Sequence, residues 1–187
     1  MTERFAGFLP HLQRYLGEAR EFEEPTALGR NRGYGLFFCY APNNLVSVVT
    51  NGLRFQRITV VLPQELVCTV HEEQRKEAHL LVPLTAEIVM GRRAGLGLDE
   101  VIMSADQGPV IPGTEIAGVV AGTHPYAADG FDALPDADGK PELQLITLLP
   151  ATRAELTYAR DNSVDALFTA WEDQATDLLD MHRRSAI

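Results

Sequence analysis

The sequence contains no apolar run long enough to cross a bilayer. It has no signal-peptide pattern either, because Glu3 and Arg4 precede any apolar stretch, and it shows no internal repeat and no low-complexity segment. These absences lead us to expect a cytoplasmic protein. Cysteine is scarce: only Cys39 and Cys68 occur, both inside strand-forming runs, so two reduced, buried thiols are expected. Positive charge is also short, with 16 Lys and Arg against 26 Asp and Glu and a net charge of -10. That balance opposes attraction to nucleic acid or an anionic membrane and would favour a basic protein partner. With 45% hydrophobic and 22% charged residues, the 187-residue chain has the balance of a folded protein and can bury a core without disulfides or metals. One domain over 1–187 is expected, with a helix and linker in 1–33 and a helix-covered sheet in 34–187.

What the chain does have is a dense gathering of β-formers from Leu45 to Val70. Val46, Val48, Val49 and Thr50 lead into Asn51-Gly52, a pair suited to a tight hairpin turn. Phe55, Ile58, Val60, Val61 and Leu62 read as the returning strand. After the turn at Pro63-Gln64, Glu65 to Val70 read as a third strand. The aromatic run Tyr34 to Tyr40, closed by Pro42-Asn43-Asn44, supplies a fourth, buried on both faces. Glu115 to Thr123, with close backbone approach at Gly118 and Gly122, and Leu143 to Leu149 are further strands, and Asp177 to Met181 suggests an edge strand.

Helical spacing appears in three places. Phe5, Phe8, Leu9, Leu12, Tyr15, Leu16 and Ala19 form one apolar stripe, opened by Thr2 and regular from Pro10. The acidic run Glu21 to Glu24 ends that helix and begins an irregular link to Gly33, with Arg30 and Arg32 solvated. Ala78, Leu81, Val82, Thr85, Ile88 and Val89 form a second stripe, kinked at Pro83 and closed by Gly91. Most of Ala94 to Gly113 reads as loop around the short run Val101, Ile102 and Met103. Thr152 and Glu155 form a capping box, and Ser163 caps a last helix carrying Leu167 and Trp171. Four strands precede the first crossover helix, so the fold class is α+β, a mixed, largely antiparallel sheet covered by helices.

The segment Val48-Val49-Thr50-Asn51-Gly52-Leu53, followed by ITVVLPQELVCTV, resembles the core of the suppressor-of-fused-like family. Members of that family carry a Thr-x-Gly hairpin and then an acidic-Leu strand, here Glu65-Leu66. LQLITLLPATRAELTYARDNSVDALFTAW is similar to the family's closing block, and the similarity runs from about Phe38 onward. The resemblance implies a mixed sheet flanked by helices and a non-enzymatic, protein-binding role. Animal members trap a transcription-factor peptide as an added strand between two lobes, and bacterial members are proposed immunity proteins that neutralise toxins. This chain has room for one lobe only, so the peptide-trapping cleft is not carried over and no site residue transfers.

Chemical motifs are sparse. His71-Glu72-Glu73 matches half of a zinc deaminase signature without its Pro-Cys-x-x-Cys, and Arg75 stands where a zincin needs its second histidine. Cys68, His71 and His79 form a looser possible metal set for a small hydrolase. Ser104, Asp106 and His124 could supply a nucleophile set, and Gly95-Leu96-Gly97 beside Arg92 and Arg93 a phosphate cradle that lacks the P-loop Lys-Ser/Thr. Asp129, Asp132, Asp136, Asp138 and Glu142 place five carboxylates in one segment opposed only by Lys140. The primary expectation is a non-enzymatic binding domain without cofactor, an immunity or sequestering protein that meets its partner, such as a basic toxin, through an edge strand or this acidic patch. The alternatives are the metal-dependent hydrolase and a subunit that pairs with its own copy.

Overall fold

The computed structural model describes residues 4–187 apart from 28, 29, 32 and 107, and leaves out the side chains of 26, 27, 30 and 31. The expectations for Thr2 as a cap and for Arg30 and Arg32 as solvated cations lie outside the described residues. In chain order, α1 (Phe8–Leu16) is followed by β1 (Glu18–Glu23), β2 (Thr26–Ala27), β3 (Arg30–Asn31), β4 (Gly35–Ala41) and β5 (Leu45–Asn51). A 3-10 turn at Leu53–Phe55 and an irregular stretch lead to β6 (Gln64–His71), α2 (Arg75–Arg92), β7 (Val101–Met103) and β8 (Ile116–Gly122). The chain closes with β9 (Ala133–Pro135), β10 (Pro141–Thr152), α3 (Arg153–Asp161) and α4 (Val164–Asp173).

Eight strands form one sheet in the order β1-β4-β5-β6-β10-β8-β7, with β9 beside the start of β10, and β2 pairs with β3 alone. Within the large sheet every pairing is antiparallel except β6 with β10, where Leu66 lies opposite Ile146. The result is the mixed, largely antiparallel α+β sheet that the sequence implied. β-branched and aromatic side chains alternate across β4, β5 and β6, and both faces are covered. On one face, Ala78, Leu81, Val82 and Val89 of α2 pack with Leu36, Phe38, Val48 and Leu66. On the other, Phe8, Leu12 and Leu16 of α1 meet Val49, Val67 and Leu145, while Leu156 and Trp171 of α3 and α4 meet Val120 and Leu149. None of the helices among the described residues is long and apolar enough to cross a membrane.

Several local expectations are overturned. Asn51-Gly52 does not turn a hairpin, and Phe55 to Leu62 is not a strand. The buried Glu65 carboxylate accepts the N–H groups of Gly52 at 2.8 Å, Leu53 at 3.2 Å and Arg54 at 3.3 Å, which curls the chain into the 3-10 turn. β5 therefore pairs directly with β6. α1 stops at Leu16, because Gly17 takes φ +89° at a point where a Cβ would lie 2.2 Å from the Tyr40 carbonyl oxygen. Ala19 and the acidic run to Glu23 then belong to an edge strand, β1, not to a helix end and a link. Gly91 lies inside α2, which runs as one helix through Pro83 and closes on Arg93 in the left-handed region. Asp177 to Met181 is a turn rather than a strand. Gln74 holds it, accepting the Met181 N–H at 2.7 Å and donating to Asp180 at 2.6 Å. The capping box of Thr152 with Glu155 and the Ser163 cap stand as expected.

Candidate functional site

β7 lies at one end of the sheet and, among the described residues, pairs with β8 alone. The Glu100 carbonyl accepts the Ala121 N–H at 2.9 Å, and the Ser104 N–H donates to the Ala117 carbonyl at 3.0 Å. Alternation in an antiparallel ladder then aims the N–H and C=O of Val101 and Met103 away from β8, toward the open edge. Gly118 makes this pairing possible, since a Cβ there would lie 2.0 Å from the Ile102 oxygen. Beside β7 runs an apolar groove of about 340 Å³, with Leu81, Leu84 and Ile88 of α2 on one wall and Ile102, Met103 and Val110 on the other. Leu84 is 42% and Ile88 39% exposed, so Ile88 does not lie on the buried stripe where its spacing placed it. Leu80, Leu84 and Ile88, at successive i, i+4 positions, form a second apolar stripe. That excess of apolar residues on one helix was the available signal for the groove.

The five carboxylates of the acidic segment are divided. Asp136, Asp138 and Glu142 line a cleft with Val61, Pro63 and the N-terminal residues around Gly7. Asp136 also orders the β9–β10 turn, accepting the N–H groups of Asp138 and Lys140, both at 2.9 Å, and Glu142 accepts the Phe5 N–H at 3.1 Å. Asp132 accepts the His124 N–H at 2.8 Å, and burial pushes its carboxyl up against that hydrogen bond. Asp129 is exposed, its carbonyl meeting the Tyr15 hydroxyl.

The candidate metal ligands do not converge. Cys68 is packed in the core under α2, and burial pushes its thiol up to about 12, as it does that of Cys39. His71 pairs with Asp177 at 2.8 Å and His79 with Glu23 at 2.6 Å. Among the described residues no three His, Cys, Asp or Glu side chains gather as a metal would require. Ser104 and His124 serve different networks: the Ser104 hydroxyl accepts the Asp106 N–H at 3.1 Å, while Nδ1 of His124 accepts the N–H groups of Tyr126 and Ala127. The His124 proton therefore sits on Nε2 and is donated to Thr69 at 2.8 Å, and the Thr69 hydroxyl lies 2.7 Å from that of Ser47. Burial lowers His124 to about 4. The glycine segment has no amides to offer a phosphate. Those of Gly95, Leu96 and Gly97 go to the Thr59 carbonyl, the Gln64 side chain and Glu100.

Among the described residues, two ion pairs are buried beside the central strands β6 and β10. Glu65 meets Arg54, whose guanidinium also lies over the rings of Phe8 and Phe55, each 4.5 Å away. Burial pushes the Glu65 carboxyl up, with Arg54, the Thr50 hydroxyl and the Gly52 amide pulling the other way. Glu155 meets Arg183 at 2.6 Å and also accepts Trp171 Nε1 at 3.0 Å. Sequence reasoning saw Glu155 only as a helix cap.

The model of the family described as Suppressor of fused protein (SUFU) matches residues 34–184. Among solved structures, a putative SUFU homolog from Neisseria gonorrhoeae FA 1090 is similar at 18% identity and a TM-score of 0.72, over 98% of this chain and 97% of that one. A chain of the Sufu-Fu complex is similar at 11% identity and a TM-score of 0.70, over 98% and 92%. Among curated proteins, no sequence matches.

Proposed function

The chain belongs to the suppressor of fused family, and from that premise we propose that it is a non-catalytic protein-binding domain that holds an extended segment of a partner against the open edge of β7. The observation that carries this reading is the pairing of outward-facing backbone groups at Val101 and Met103 with an apolar groove directly beside them. An added strand takes its affinity from main-chain hydrogen bonds and its specificity from pockets for alternate side chains, and both parts are present here. The similar chain at 11% identity comes from a crystal structure of the Sufu-Fu complex, which lends support to a binding role.

The acidic residues Asp129, Asp132, Asp136, Asp138 and Glu142 and the net charge of -10 complement a basic partner, whose encounter they would accelerate. A sequestering or immunity protein facing a basic toxin fits this electrostatic character. The test is a pull-down of tagged protein from its native lysate at low and raised salt, beside the Leu84→Glu/Ile88→Glu variant. A stoichiometric basic partner that is released by salt and lost from the variant supports the reading. Equal capture by the variant excludes the β7 groove as its seat, and a size-exclusion run of the same samples reports pairing between copies.

A further inference from the structure

A second groove, of about 470 Å³, lies where the irregular stretch after the 3-10 turn meets the end of α2. It is lined by Phe55, Gln56, Arg57, Ile58, Met90 and Arg93, with no carboxylate in its wall. Three other surface arginines each meet a carboxylate, Arg20 at Glu18, Arg75 at Glu21 and Arg92 at Glu100, while Arg4 and Arg14 lie over the rings of Phe5 and Tyr15. Arg57 and Arg93 are exposed, and neither guanidinium makes a hydrogen bond or ion pair among the described residues.

Their placement is fixed by backbone. The Thr59 N–H donates to the Arg93 carbonyl at 2.9 Å, and the Gly95 N–H returns to the Thr59 carbonyl at 3.1 Å, closing a parallel bridge between Thr59 and Ala94. The two arginine-bearing segments are thus joined edge to edge. Gly95 permits this approach, since a Cβ there would lie 2.1 Å from Val60 and 2.3 Å from Gln64. Arg93 itself closes α2 at φ +53°, a position that glycine or asparagine usually fills. The floor is apolar, with Ile58 and Met90 packed against the core and Phe55 66% exposed at the rim.

We propose that this groove is a separate docking site for an acidic peptide segment in which an apolar side chain stands beside carboxylates. Guanidinium groups bind carboxylates through paired N–H donors, and the floor of Ile58 and Met90, with Phe55 at its rim, takes the apolar side chain. An open groove of this size suits a few side chains of an extended peptide. The occupant is opposite in charge to the partner proposed for the β7 edge, and the two sites share no lining residue.

The test is a nitrogen-15 NMR titration of the full chain with a blocked Asp-Leu-Glu-Leu-Asp peptide, beside its Asn and Gln counterpart and inorganic phosphate. Saturable shifts confined to residues 55–58 and 90–93, absent with the amide peptide, are expected. Arg57→Glu/Arg93→Glu should weaken binding by about tenfold or more, since two exposed ion pairs become repulsive. Arg57→Gln/Arg93→Gln should fall between that variant and wild type, and Leu84→Glu should change nothing. Shifts centred on the β7 groove, equal binding by both arginine variants, equal response to the amide peptide or to phosphate, or no saturation would each overturn the proposal. Apart from shifts centred on the β7 groove, those outcomes do not bear on partner capture at β7, which the pull-down reads separately.

Discussion

Replacing Glu155 with Gln removes a charge that five donors share. The carboxylate accepts both Arg183 Nη groups, at 2.6 and 2.9 Å, Trp171 Nε1 at 3.0 Å, the Ala186 N–H at 3.0 Å and the Thr152 N–H at 2.8 Å. The Glu155 side chain is wholly buried and Arg183 is 6% exposed, so the variant leaves a cation buried against a neutral amide that must itself place two N–H groups among donors. Removing one partner of such a pair costs about 3–5 kcal/mol. Arg183 keeps its bond to the Pro150 carbonyl at 2.9 Å, which argues for the lower end. With a urea m-value of about 2 kcal/mol/M, a loss of about 3 kcal/mol moves the midpoint down by about 1.5 M. Equilibrium unfolding followed by far-UV circular dichroism reads this directly, and Trp171, the sole tryptophan, reports the site by fluorescence. Arg183→Ala should cost a similar amount, and the double variant less than the sum.

Acid adds a second readout of the same pair. Burial opposes the charged form of Glu155, but Arg183 together with the Ala186 and Thr152 amides outweighs it and holds the carboxyl below its usual range. A group that binds its proton less readily in the folded state stabilises above its unfolded pKa and loses that contribution as pH falls through the folded one. Wild type should therefore weaken more steeply than Glu155→Gln below about pH 5. A stability loss under about 1 kcal/mol with an unchanged m-value, together with parallel acid profiles, would refute the account.

Two further outcomes follow from neighbouring geometry. His124, lowered from 6.5 to about 4 by burial, releases its proton on folding, so stability should be full above pH 6.5 and decline by roughly 3 kcal/mol as pH falls toward 4. Its ring proton signals should show no titration near pH 6, and a midpoint there would contradict the buried neutral ring. Gly118→Ala should push β7 off β8 and cost about 1–3 kcal/mol, reducing hydrogen-exchange protection at Ser104 and Ala121 and retention of the partner together. Gly122→Ala, whose Cβ would meet nothing nearer than Leu149 at 3.5 Å, is the control that should leave all three unchanged.

What the sequence revealed follows the range of its signals. Capping at Thr152 and Ser163 acts over three residues, and the strands of β4, β5, β6, β8 and β10 carry dense local patterning, so these were legible. The stretch from Phe55 to Leu62 was misread because its fate depends on Glu65, whose carboxylate gathers three preceding amides in a way that no periodicity encodes. β1 was hidden by its charge, since an edge strand needs only one partner and Glu18 to Glu23 lie against β4 with one side open to solvent. The groove beside β7 combines a three-residue strand with the outer stripe of a helix far from it in sequence. Either part alone looks like ordinary surface. Cys68, His71 and His79, by contrast, lie close in sequence and are separated by the strand-to-helix turn, which gives each a different neighbour.

The single parallel seam between β6 and β10 has a consequence for how the chain can be divided. β1, β4, β5 and β6 come from residues 18–71, while β7, β8, β9 and β10 come from residues 101–152, so each side of the seam is a meander of sequence neighbours. Four facing positions, Gln144 to Thr147 against Gln64 to Val67, zip the two meanders together, and the Gln64 side chain reaches across to Gln144 at 3.2 Å. Local pairing can complete each side early, and their docking closes the longest loop last. The molecule is therefore a natural candidate for fragment complementation: a cut in the exposed segment Gly97 to Asp99, between α2 and β7, leaves two pieces that each carry one lip of the same zipper.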